Sequence, residues 1–135
     1  MLKIIGSVAL IAGSSSMATP TNIFLKCEMA SAVACEKDGC RVIPPKITTY
    51  MASYTSDSKS NGYYYRCTAE GCSTHKPVIA TSGQFTIFSL PESGLVAKLG
   101  LQNEVTDIAT LMDVVLINRG RCIKSPPPPI IGKIR

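Results

Sequence analysis

The chain holds a single histidine, His75, and that shortage narrows the available chemistry at once. A Ser-His-Asp or Cys-His nucleophile needs an imidazole to take the proton and a third group to orient it. His75 lies between Thr74 and Lys76, just outside a cysteine turn, where a solvated strand end is expected rather than a base. Recognisable carboxylate pairs are missing too, because Glu36, Asp38, Asp57, Glu70 and Glu92 all fall in turn-forming stretches where solvated charges belong. No Walker sequence, Gly-x-Gly-x-x-Gly loop, metal-binding helix motif or Cys-x-x-Cys redox centre occurs. The cationic residues are scattered except near the end, and no aromatic series interleaves with them, which speaks against nucleic acid. These absences predict a protein that is not an enzyme and takes no cofactor and no metal.

Long hydrophobic runs are lacking as well. The apolar stretch Ile4 to Ala12, behind Lys3, is shorter than the roughly 20 residues that span a bilayer. Small residues ending in Ser16-Met17-Ala18 follow it, so residues 1–18 are expected to be a signal peptide and Thr19 the mature N-terminus. No cysteine sits at that cleavage point, and Cys27, behind Phe24-Leu25-Lys26, does not resemble a lipoprotein signal. A periplasmic or secreted chain with neither lipid nor transmembrane anchor is therefore expected. Losing Lys3 with the leader lowers the formal charge from +5 to +4, a mildly basic balance that suits cell-wall polymers, anionic lipids or carboxylate-lined clefts. Residues 19–122 are read as one β domain and residues 123–135 as a tail. Ser125-Pro126-Pro127-Pro128-Pro129 calls for extended polyproline, and Ile130 to Arg135 is basic and apolar.

What the sequence does have is cysteine. Six survive leader removal: Cys27, Cys35, Cys40, Cys67, Cys72 and Cys122. Two Cys-x-x-x-Gly-Cys turns stand out, Cys35 to Cys40 and Cys67 to Cys72, the second behind the β-prone run Tyr63-Tyr64-Tyr65. Zinc is the competing use of such residues, but its knuckles favour Cys-x-x-Cys, and here four residues separate each pair. An even count in a small exported chain reads as disulfides, for which six cysteines allow 15 pairings. Short pairs flanking hairpin turns give Cys35–Cys40 and Cys67–Cys72. Cys27 and Cys122 remain, and they meet if the first strand lies beside the last.

The rest of the chain reads as strands. Asn22 to Cys35 runs straight into the turn Glu36 to Gly39, Arg41 begins the return, and Pro44-Pro45 confines that strand to an edge. Ile47 to Tyr54 is strand-like, whereas Ser56 to Gly62 holds little but turn formers and is expected to be an exposed loop. Gln84 to Leu90 is a strand, and Pro91 to Gly94 a turn. The alternation that follows puts Leu95, Ala97, Leu99 and Leu101 on one face and Lys98 on the other. From Asn103 to Met112 helical spacing competes with β-branched residues, and two strands hinged near Asp113 are expected. Seven or eight short strands make an all-β protein, a small antiparallel meander closing into a disulfide-stabilised barrel or two-layer sandwich.

The region from Tyr63 onward resembles a group of small exported proteobacterial proteins without assigned function. The shared features are Tyr-x-Arg-Cys-x-x-x-Gly-Cys, a Ser-Gly-x-Phe-Thr strand, an Ala-Lys-Leu strand and a closing cysteine. More distantly, the order of these features resembles the periplasmic C-type lysozyme inhibitors, small antiparallel β-barrels that project a serine and a lysine into the lysozyme cleft. That resemblance implies partner contacts at Ser82, Gly83 and Lys98, near Phe85 and Gly100. Two cysteine hairpins and a proline tail depart from the inhibitor pattern. The expected function is an exported, non-enzymatic binding protein that presents loops to a protein or glycan partner in the envelope, a lysozyme among them. The alternative is a structural or accessory cell-envelope protein.

Overall fold

The computed structural model describes residues 22–56 and 59–126. Its strands are β1 (Ile23–Glu36), β2 (Gly39–Ile43), β3 (Thr48–Ser56), β4 (Lys59–Thr68), β5 (Gly71–His75), β6 (Val78–Ser82), β7 (Phe85–Leu90), β8 (Leu95–Leu99), β9 (Glu104–Leu111) and β10 (Val114–Lys124). Among the described residues the only helical turn is Pro91–Ser93, closed by Gly94 in the left-handed region. All pairings are antiparallel, in the order β5-β4-β3-β1-β10-β9-β8-β7-β6, with β2 paired to the far half of β1. The all-β expectation holds. The sheet curls into a half-barrel with β5 and β6 at its edges, and Ile79 of β6 comes so close to Gly62 of β4 that a Cβ there would lie 2.3 Å from the isoleucine Cδ1.

The concave face holds the core. Alternation delivers Met51, Tyr64, Phe88, Leu95, Ala97 and Leu99 to it from four strands, and β1 and β10 add the Cys27–Cys122 disulfide. In β1 the buried positions switch from Leu25, Cys27 and Met29 to Ala32 and Ala34. A β-bulge between Met29 and Ser31 causes the switch, since one extra residue reverses which side chains face inward. Opposite the bulge stands Gly120, where a Cβ would lie 1.9 Å from the Glu28 carbonyl oxygen, so the position admits only glycine.

Each disulfide joins residues directly opposed on neighbouring strands: Cys27–Cys122, Cys35–Cys40 and Cys67–Cys72. The pairing is the one expected from hairpin turns and adjacent first and last strands. The ambiguous stretch after Gly100 is indeed two strands. Met112, with φ of 48°, and Asp113 form the turn between them. Asn103 is not a helix cap; it sits at φ of 60° and its carbonyl accepts the Cys122 amide at 2.8 Å.

Four expectations need correction. Ser56 to Gly62 is not a long loop, because the β3–β4 ladder continues through Ser53↔Gly62 to Ser56↔Lys59, and a register-matched neighbour outweighs weak strand propensity. Leu101 does not share the face of Leu99; β8 stops at Leu99, the Gly100 amide bonds the Glu104 carbonyl, and Leu101 is left 73% exposed in the turn. The strands number ten among the described residues. β10 also runs past Cys122, with Ile123 and Lys124 paired to Lys26 and Leu25. The leader and residues 127–135 of the tail lie outside the described residues. Among the described residues no helix is long and apolar enough to cross a membrane.

Candidate functional site

Three places bring together side chains able to do chemistry. The first is the tight connection between β6 and β7 with the neighbouring end of β8. Ser82 closes β6 and pairs with Phe85, which opens β7. Between them Gly83 takes φ of 59°, a conformation suited to glycine in a two-residue hairpin turn. Lys98 is the penultimate residue of β8, on the outer face between Ile87 and Thr106. Its Nζ lies 3.7 Å from the centroid of the Phe85 ring, a cation–π contact that aims the ammonium along the sheet toward the turn. Ser82, Gly83 and Lys98 are all exposed, and Lys98 makes no ion pair among the described residues. Phe85 thus connects the predicted serine turn with the predicted lysine at one end of the outer face.

The second place is inside the half-barrel and was not singled out from the sequence. Asp107 of β9 is fully buried on the core face. Tyr64 of β4 donates its hydroxyl hydrogen to Oδ2, and Asn118 of β10 donates to Oδ1 at 3.1 Å. Arg66 Nη2 reaches the same Oδ1 at 3.4 Å, while its Nε is buried with no hydrogen-bond partner. Thr49, fully buried, lies beside the Tyr64 hydroxyl. Burial first, and then the Asp107 charge, hold the Tyr64 phenol well above its ordinary pKa, so it acts as a fixed donor. The cluster ties β4, β9 and β10 together across the core.

His75 is the third. It closes β5, half-buried rather than solvated, opposite Tyr64. Nε2 is 3.0 Å from the Ser73 hydroxyl and Nδ1 is 3.4 Å from that of Ser93. Burial, followed by the Arg66 charge, lowers the imidazole pKa below its usual value. The ring has a hydroxyl on each side and no carboxylate to orient it, an arrangement short of the three-part relay that activates a serine. Among the described residues no three His, Cys, Asp or Glu side chains are grouped to hold a metal.

No protein-family model, curated protein or solved structure matches the chain.

Proposed function

We propose that the chain is an exported, non-enzymatic binding protein that offers the Ser82–Gly83 turn and Lys98 to an acidic cleft on a partner. The placement of Lys98 above Phe85, beside that turn, carries the reading. An ammonium with no carboxylate of its own, steadied by an aromatic ring, loses little freedom when a partner's carboxylate reaches it. A serine hydroxyl at the same end supplies a neutral hydrogen bond to the same cleft. Three disulfides suit an oxidising compartment, periplasmic or extracellular.

A C-type lysozyme, whose cleft presents catalytic carboxylates, is the partner to test first. Purified chain at micromolar concentration is expected to slow the clearing of a bacterial suspension by such an enzyme. Lys98→Ala should weaken that inhibition at least roughly 30-fold, as expected when one member of a desolvated charge pair is truncated. Its unfolding free energy should stay within about 0.5 kcal/mol of wild type, because the side chain is exposed. A clearing rate unaffected by the wild-type chain would retire lysozyme as the partner.

A further inference from the structure

The outer face carries a second surface, visible only once the register is known. Val42, Val33, Ile117, Ile108 and Val96 are successive register partners across β2, β1, β10, β9 and β8, and the same rung continues through Ser89 to Val78 on β6. Val33, Ile108, Val96 and Ser89 alternate with buried neighbours, so the rung they define faces away from the core, with Val42 83%, Val78 64% and Val96 41% exposed. Seven strands at about 4.8 Å spacing give an apolar row roughly 29 Å long. It lacks tryptophan, tyrosine and arginine, the anchors that dominate protein–protein interfaces.

The next outward-facing rung is cationic. Arg119 and Lys98 lie on it, joined through Thr106, about 7 Å from the apolar row, and Arg121 follows two residues along β10. Arg119 and Arg121 form no ion pair among the described residues. Both line a depression of about 530 Å³ at the β1 bulge. Glu28 and Glu104 are the register partners of Arg121, with Glu28 also 3.7 Å from Lys26 and Glu104 accepting the Gln102 amide at 3.1 Å, whereas Arg119 is paired with Ser31 and Thr106 and faces no carboxylate in register. An apolar row interrupted only at Ser89, beside a rung carrying Arg119 and Lys98, matches an amphiphile with an anionic head.

We propose that this face docks the protein on an anionic lipid bilayer, with the Val42-to-Val78 row at the acyl boundary and Arg119 and Arg121 on lipid phosphates. The charge on the second rung selects this occupant, since an uncharged apolar partner would leave both arginines idle. The surface shares its cationic rung with Lys98 but does not include the Ser82–Gly83 turn, and its test leaves Lys98 unsubstituted.

The chain without its expected leader, residues 19–135, is sedimented with vesicles of phosphatidylcholine containing phosphatidylglycerol, and with vesicles of phosphatidylcholine alone, at low and high salt. Binding is expected to the anionic vesicles and to weaken with salt. Arg119→Gln with Arg121→Gln should reduce partition roughly 25-fold, given the usual contribution of a cation near an anionic surface. Val42→Ser with Val96→Ser should reduce it about tenfold while the thermal midpoint holds, because both side chains project into solvent. Equal binding to the two vesicle types, or binding that neither pair of substitutions weakens, overturns the proposal. So does a wild-type dimer in light scattering that the valine substitutions dissolve, since the row would then be covered by a second copy.

Discussion

Asp107 is the residue on which the interior depends most. A carboxylate with no exposure is tolerable because Tyr64, Asn118 and Arg66 all donate to it. Asp107→Ala strands the Arg66 guanidinium against an emptied site, and a loss of about 3–5 kcal/mol is expected in denaturant unfolding. The tyrosines next door set a limit at high pH. Burial, then the neighbouring phenols Tyr65 and Tyr54, push Tyr63 up to about 12, against an ordinary value near 10. The folded state therefore keeps a proton that the unfolded chain releases. Stability contributed by Tyr63 is complete below pH 10 and is lost as pH rises from 10 to about 12. Phenolate absorbance during an alkaline titration should show at least one tyrosine ionising late, in step with unfolding. Part of this was legible beforehand: once Glu104 to Leu111 is taken as a strand, Val105, Asp107 and Ala109 must share a face, and a carboxylate among apolar residues asks for partners. Which partners is decided by the approach of β4 and β10, distant in sequence, and no local pattern carries that.

At the scale of the element, β1 repays the closest inspection. Its alternation breaks after Met29, and the break survives because Gly120 lets β10 come within contact of the Glu28 carbonyl. Gly120→Ala forces a Cβ into backbone that cannot move without parting β1 from β10. A loss of more than about 2 kcal/mol is expected in thermal unfolding, with early amide exchange at Met29 and Ser31. Sequence alone made β1 a strand but carried no sign of the bulge, since one extra residue leaves the strand composition unchanged. The tight turns were the most readable elements, because Glu36 to Gly39 and Thr68 to Gly71 consist of residues that accept turn geometry for local reasons. Ser56 to Gly62 misled for the same reason. Its residues are turn formers, yet Lys59 to Gly62 pair with Ser56 to Ser53 along a long hairpin arm.

For the whole molecule, the disulfides determine how much of the chain is held together once packing fails. The Cys27–Cys122 link spans 95 residues and the two hairpin links span 5 each. On a chain-entropy basis the long link contributes about 4.7 kcal/mol and a short one about 2 kcal/mol. Replacing Cys27 and Cys122 by serine should therefore lower the denaturant midpoint more than twice as far as replacing Cys35 and Cys40. The same link could be anticipated from the sequence because two cysteines were left over after the hairpins and lay in the first and last strands of the chain. The curled all-β meander was expected as well, but not the approach of Ile79 to Gly62, a contact between strands that are not paired.

Because β1 and β10 lie side by side and antiparallel, both ends of the domain leave from one edge of the fold. A pull applied between a partner on one end and an anchor on the other would first separate Lys124 from Leu25 and Ile123 from Lys26, then stop at the Cys27–Cys122 bond. With that bond closed, the chain between the two cysteines, a sequence separation of 95, carries no tension, and about 330 Å of contour length stays hidden from the force. Reduction turns the same domain from a rigid link into an extensible tether.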